Sequence, residues 1–311
     1  MELIRDLHNL RPRHRGCVVT MGAFDGVHRG HQMVLKHLMD KGRELGLPST
    51  VVIFEPLPRE YFAPEDAPAR LMSFHEKFLA LRDLGIDRVL RIRFTPHFRD
   101  LSPEAFVNKV FVDGLGVKYI VVGDDLHFGR NRSGGLEQLR AAGELYGFEV
   151  QSTSTLEQSG ERISSTRIRE ALKTGDFALA EALLGRPYSI MGRIVVGNQL
   201  GRQMNVPTAN IQLRRLSTAL GGVYAVSAAV AGQTYNGVAN VGMRPTIGDL
   251  DRPILEVHLF EFTGDIYGET MTVVFIKKLR DENKFDSFDV LRQQIHADID
   301  RARAFFQSQD I

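Results

Sequence analysis

Short apolar runs alternate with segments of helical spacing through the first half of the chain. Cys17–Met21, Val51–Phe54, Val89–Ile92 and Tyr119–Gly123 are brief, rich in β-branched residues and apolar nearly throughout, the pattern of strands buried on both faces. Between them, Gln32–Leu38, Ser73–Leu84 and Pro103–Phe111 space their apolar residues as amphipathic helices do. Such alternation predicts a parallel sheet covered on both faces, with ligands gathered at the carboxyl ends of its strands. Beyond residue 186 the texture changes. Val223–Val230, Gln233–Ala239, Leu255–Phe262 and Met271–Ile276 read as successive short strands, with turns at Ala231-Gly232 and Thr263-Gly264-Asp265. An antiparallel barrel is expected, followed by a terminal helix with Phe288, Leu291, Ile295 and Ile299 on one stripe. The pattern changes at Gly185-Arg186-Pro187 without a Gly/Ser linker, which divides the chain into domains 1–186 and 187–311.

Composition narrows the class of partner. The 311 residues suffice for two domains with cores of ordinary size. With 39 basic and 38 acidic residues the formal charge is +1, so no summed field points to nucleic acid or an anionic membrane. Small molecules are the expected partners, and self-association leaves no mark in the sequence. The single cysteine, Cys17, excludes an intrachain disulfide and a cysteine-rich zinc site, and its place in an apolar run is that of a buried thiol. No run approaches the roughly 18 apolar residues that span a bilayer. Met1–Gly16 carries Glu2 and Asp6 among its basic residues and has no apolar core, unlike an export signal, so a cytoplasmic location is expected.

Gly22-Ala23-Phe24-Asp25-Gly26-Val27-His28-Arg29-Gly30-His31 joins the first apolar run to the first helical segment. Two imidazoles therefore open a helix, where unpaired N–H groups and the helix dipole favour an anion. The glycines at 22, 26 and 30 let a ligand approach the backbone. A nucleotide phosphate is the natural occupant, with a structural histidine pair as the alternative; zinc is disfavoured because neither thiol partners nor an HExxH pattern is present. Ile163-Ser164-Ser165-Thr166-Arg167-Ile168-Arg169 places hydroxyls at another helix start. Such hydroxyls cap helices in most proteins, but the arginines that follow also suit a polyphosphate. In the second domain, Gly192–Arg202 is a glycine loop that reads as turns when taken alone. Along Leu255–Phe260 apolar residues alternate with Glu256 and His258, placing carboxylate and imidazole on one strand face as either a solvated pair or acid–base groups.

Taken together, these motifs resemble a known family. Gly22-x-Phe24-Asp25-Gly26-x-His28-x-Gly30-His31 with Ser164-Ser165-Thr166-x-Ile168-Arg169 is similar to the adenylyltransferase module of bacterial bifunctional riboflavin kinase/FAD synthetases. Phe54-Glu55-Pro56-x-Pro58-Arg59-Glu60, Arg70-Leu71 with Glu76-Lys77, and Gly123-Asp124-Asp125-x-x-Phe128-Gly129-x-x-Arg132-x-Gly134 agree with it. Pro207-Thr208-Ala209-Asn210, Gly222-Val223-Tyr224, Gly237–Thr246 and Leu255–Phe260 resemble the riboflavin kinase module, in its usual order.

The resemblance implies a Rossmann-like α/β nucleotidyltransferase domain with a parallel sheet, then an antiparallel β-barrel kinase domain with a terminal helix. By the same likeness, His28 and His31 contact the ATP phosphates within a site that includes Gly22, Phe24, Asp25, Gly30, Ser165, Thr166 and Arg169. Asp125, Phe128 and Arg132 line a nucleotide or flavin pocket. In the kinase module, Gly197, Gly201, Pro207, Asn240 and Arg280 serve ATP or flavin, Thr208 and Asn210 hold Mg²⁺, and Glu256 is the base for the ribityl 5′-hydroxyl. The implied substrates are ATP, riboflavin and FMN, and the product is FAD. Two positions depart from the family pattern: Leu57 replaces a residue that is often polar or aromatic, and Asn205-Val206 stands where Gly-Phe is common.

Overall fold

Six strands lie side by side in the order β1-β4-β3-β2-β5-β6, with every neighbouring pair parallel. They are β1 (Glu2–Arg5), β2 (Val18–Met21), β3 (Ser49–Glu55), β4 (Arg88–Arg93), β5 (Tyr119–Gly123) and β6 (Glu149–Thr153). This computed structural model describes residues 1–154, 156–158, 160–197, 206–213, 215–244 and 252–308, without the side chains of 243, 244 and 252. The chain divides into two units, Met1–Pro68 with Phe74–Ser164, and Ala69–Ser73 with Ser165 onward.

In the first unit the chain runs from β2 to β4 in one direction across the sheet and then crosses to β5 on the other side of β2. The strand order therefore reverses between the carboxyl ends of β2 and β5, the crevice where open parallel sheets bind ligands. Helices cover the sheet as the periodicity predicts. The segment Gln32–Leu38 is the core of a longer helix, Arg29–Leu45, closed by Gly46 at φ 64°, and it buries Leu35 and Leu38 completely. Each such leucine contributes about 1.5–3 kcal/mol relative to exposure. The expected helix Pro103–Phe111 starts as an α-helix at Pro103–Phe106 and widens to π-helical turns over Val107–Leu115. Val19, Leu90, Ile120, Phe106, Phe111 and Phe128 share one core. Cys17 is fully buried as expected, and burial pushes its thiol up to about 11, so it is no nucleophile at neutral pH.

Strands β1 and β6 are absent from the sequence reading. Both are edge strands, and their sequences, Glu-Leu-Ile-Arg and Glu-Val-Gln-Ser-Thr, hold the charged and polar residues that edges tolerate. A short hairpin, β7 (Glu157–Gln158) and β8 (Glu161–Arg162), follows the sheet.

The second unit holds a closed antiparallel barrel, β10-β13-β12-β11-β14-β9. Its strands are β9 (Ser189–Val195), β10 (Ala209–Gln212), β11 (Gly222–Val230), β12 (Gln233–Arg244), β13 (Arg252–Leu259) and β14 (Thr270–Arg280). The hairpin turn at Ala231-Gly232 and the terminal helix, Phe288–Gln307, are both present. The helix lays Ile299 and Ala302 on Val223, Ala225, Val238 and Phe260, so that face of the strands is the outside of the barrel. Residues one step out of phase, including Ile211, Tyr224, Ala239, Leu255 and Val257, therefore fill the interior. Strands β9 and β10 close the barrel but read in sequence as parts of a glycine loop and a Pro-Thr-Ala-Asn motif.

Candidate active sites

The carboxyl end of β2 leads into a strained loop. Gly22 N–H donates to the Val52 carbonyl at 3.2 Å, and then Phe24, Gly26 and Val27 adopt φ of 46°, 82° and 43°. Positive φ at a β-branched residue is a genuine outlier, with a cost on the order of 1–3 kcal/mol that a surrounding structure must sustain. Phe24, Asp25 and Val27 are all buried, which locks the loop. Its effect is to deliver His28 as the cap of helix Arg29–Leu45, where His28 Nδ1 accepts the His31 N–H at 3.3 Å.

His28 and His31 stack, with ring centroids 3.6 Å apart and planes 16° from parallel, and the Phe24 ring flanks His31 at 5.0 Å. A Cβ on Gly30 would stand 3.2 Å from two atoms of the His28 ring, and one on Gly22 would stand 3.3 Å from the Phe24 ring. These two glycines make room for the rings. Burial first, then the charges of His28, Lys77 and Arg162, hold the His31 imidazole well below the usual histidine range. Among the described residues His31 Nδ1 is buried without a hydrogen-bond partner, and such a group costs about 1–3 kcal/mol until something satisfies it. An imidazole pair at a helix N-terminus is a donor set for an anion.

Asp125 and Arg132 follow the carboxyl end of β5 and are exposed. Asp125 Oδ2 pairs with Arg162 Nη2 at 2.5 Å, while Arg132 sits at φ 57° in a short 3₁₀ turn. Phe128 instead belongs to the aromatic core, with its ring 5.4 Å from that of Phe106. Ser165, Thr166 and Arg169 occupy the first turns of helix Ser165–Thr174 in the second unit, and Arg169 Nε donates to the Ala69 carbonyl at 2.6 Å.

Two features of the first unit were given no site role in the sequence reading. Lys77 is completely buried, with Nζ 3.9 Å from the Glu55 carboxylate at the end of β3. Beyond β3 and β4, Tyr61, Phe62 and Phe94 pack edge to face at 5.3–5.8 Å, and Phe62 remains 61% exposed. Charge at a helical core position and clustered aromatics after Glu-Pro were the available signals.

The barrel builds its site from register. Asn210 on β10 pairs with Glu256 on β13, which pairs with Asn240 on β12. Directly paired residues share a face, so the three form one polar row across the outside of the barrel. His258 lies on the same face and holds the Pro207 carbonyl through Nδ1 at 2.9 Å, which fixes the approach to Thr208. Asn210 is buried, its Nδ2 reaches the Thr208 carbonyl at 3.5 Å, and its Oδ1 has no hydrogen-bond partner among the described residues. Gly197 must lack a side chain because a Cβ there would overlap the Asn210 amide. At Gly242 the Glu282 carboxylate would stand 2.5 Å from such a Cβ.

An orphaned amide oxygen beside a threonine is a hard-oxygen donor set, which fits Mg²⁺. Among the described residues no three His, Cys, Asp or Glu side chains cluster as a metal site. Arg280 engages Asp298 of the terminal helix through Nε and Nη2 at 2.8–3.1 Å, and Gln294 also donates to that buried carboxylate at 2.9 Å. Gly201 and Asn205 lie outside the described residues.

Comparisons with known proteins agree with this two-part layout. The family model for FAD synthetase matches residues 10–167, and that for riboflavin kinase matches residues 184–306. A Pseudomonas fluorescens protein named bifunctional riboflavin kinase/FMN adenylyltransferase is 52% identical, covering 98% of this chain and 97% of its own. Proteins of the same name from Haemophilus influenzae and Escherichia coli K12 are each 47% identical over at least 98% of both chains. A crystal structure described as a macrolide-efflux protein from Streptococcus pneumoniae superposes with a TM-score of 0.77 at 32% identity, covering 96% of this chain and 97% of that one. Among the described residues no helix is long and apolar enough to cross a membrane. With a strained histidine loop on a parallel sheet, a polar row on a closed barrel, and relatives that match from end to end, this chain belongs to the bifunctional riboflavin kinase/FMN adenylyltransferase family.

Proposed function

We propose that the histidine site transfers AMP from ATP to FMN, releasing pyrophosphate and giving FAD, while the barrel row transfers the terminal phosphate of ATP to riboflavin. The division of labour follows domains 1–186 and 187–311. His28 and His31 stabilise the charge that builds on the α-phosphate as an FMN phosphate oxygen attacks, and Gly22, Phe24, Asp25 and Gly30 hold them in place. Ser165, Thr166 and Arg169 grip the remaining phosphates. Asp125 and Arg132 border the nucleotide or flavin, Phe128 supports that wall from the core, and the exposed Phe62 offers a ring face to the isoalloxazine.

In the barrel, Glu256 takes the proton of the ribityl 5′-hydroxyl, flanked by Asn210 and Asn240. Thr208 and Asn210 would hold Mg²⁺, which when bound offsets the negative charge of the transferring phosphate. Gly197, Gly201 and Pro207 keep the ATP loop close to Asn210, and Arg280 steadies the neighbouring strand end through Asp298. These roles need only small-molecule partners and suit a cytoplasmic enzyme.

The observation that carries the reading is a stacked imidazole pair at a helix start together with a polar row centred on Glu256 on the barrel. Riboflavin, ATP and Mg²⁺ supplied to the protein should yield FMN first and FAD with pyrophosphate afterwards, as followed by chromatography. A protein that bound flavin but formed neither product would be a flavin-binding regulator instead.

A further inference from the structure

Ala69–Ser73 interrupts the first unit: the chain leaves it after Pro68, contributes these five residues to the second unit and returns at Phe74. The segment has no helix or strand of its own. Its carbonyls must therefore find donors elsewhere, and several come from side chains. Arg169 Nε donates to the Ala69 carbonyl at 2.6 Å. Arg215 Nη1 lies within hydrogen-bonding distance of the carbonyls of Arg70 (3.2 Å) and Leu71 (3.4 Å) and of the Tyr188 hydroxyl (3.3 Å). Tyr188 in turn donates to the Leu71 carbonyl at 3.2 Å.

Arg215 is 6% exposed, Tyr188 4% and Leu71 fully buried. Guanidinium groups are seldom buried this deeply, and here Arg215 Nη1 is directed at backbone that no regular element supports. Two arginines thus grip adjacent carbonyls of one short segment, and one of them is the residue expected to grip ATP.

We propose that Arg215 is a positioning residue for FAD formation. By fixing the Arg70 and Leu71 carbonyls it fixes the neighbouring Ala69 carbonyl, on which the Arg169 guanidinium is seated. The inference rests on the role proposed for Arg169 toward ATP. It places a residue required for the first domain's reaction beyond residue 186, where a separate kinase domain would have no use for it.

Steady-state kinetics on the full-length chain test this, with FAD formation from supplied FMN and riboflavin phosphorylation measured separately. Arg215→Met should lower kcat/KM for ATP in FAD formation by about 10- to 100-fold, through KM more than kcat, because a displaced phosphate-binding group is a misplacement of this size. Riboflavin phosphorylation should keep its kcat and KM. Arg215→Lys should recover part of the loss, and Tyr188→Phe should shift KM the same way by less. If Arg169→Met impairs FAD formation while Arg215→Met does not, the inference is overturned and the Arg169 reading stands. Loss of both activities in proportion also overturns it. Were Arg169→Met without effect, the reading beneath would fail and the inference with it. Should Arg215→Met not fold, Tyr188→Phe, which removes one oxygen, decides: an unchanged KM for ATP overturns the proposal.

Discussion

The two sites reach their geometry by different means. In the α/β unit the histidines are aimed by a loop with positive φ at Phe24, Gly26 and Val27, and by a helix whose first turn is capped by an imidazole. In the barrel, Asn210, Glu256 and Asn240 meet because antiparallel register places them side by side on unstrained strands. The first design concentrates its cost in a few residues. The second spreads it over a ladder, where a one-residue slip would turn the row into the barrel interior.

Variants that separate the sites should separate the reactions. Glu256→Gln keeps the shape of the row and removes the base, so riboflavin phosphorylation should fall by about 10²–10⁴-fold, while supplied FMN is still converted to FAD. His28→Ala should cut FAD formation by about 10²–10³-fold and leave FMN accumulating from riboflavin. It should also lose about 0.5–2 kcal/mol of stability with the cap, measurable by urea unfolding. If either variant, still folded, lost both activities, the contrast between the two sites would collapse.

The glycines sharpen the comparison. Gly197→Ala drives a methyl into the Asn210 amide, whereas Gly30→Ala places one 3.2 Å from the His28 ring, a contact relieved by a shift of a few tenths of an ångström. Phosphorylation in the first variant should therefore fall more than FAD formation in the second. Equal losses, or the reverse order, would mean that the strained loop is the less forgiving of the two.

The smallest effect concerns pH. Because the folded His31 pKa is depressed, the unfolded chain binds more protons below the ordinary histidine value of 6.5. Stability should be level above that pH and decline as pH falls below it, toward the folded pKa. Replacing His31 with Gln should flatten this decline in denaturant titrations from pH 7 to 5. A decline of unchanged steepness would place the sensitivity elsewhere.

Central strands of the sheet and the long barrel strands were legible because burial on both faces, or strict alternation, leaves a periodic mark. Edge strands β1 and β6 carry no such mark, since water faces their polar residues. Strand β9 was hidden by Gly192, which the barrel needs for close approach to Ile211. For the candidate sites, the histidine helix start was visible as local spacing. The Asn210–Glu256–Asn240 row was not, because it depends on register between strands far apart in sequence. Phe128 and Arg280 illustrate the opposite limit: motif position named them, yet packing commits one to the aromatic core and the other to Asp298. Lys77 was legible only as part of a motif, and its burial was not, because a buried lysine contradicts its ordinary preference for the surface.

The central claim is that one chain cuts ATP at two different phosphorus atoms. Incubating the protein with riboflavin, Mg²⁺ and ATP labelled at either the α- or the γ-phosphorus, then separating the flavins, tests it most directly. The account predicts γ-label in FMN and in the flavin-side phosphate of FAD, with α-label in the AMP half of FAD alone. Label from the α-phosphorus in FMN, or γ-label missing from it, would contradict the account.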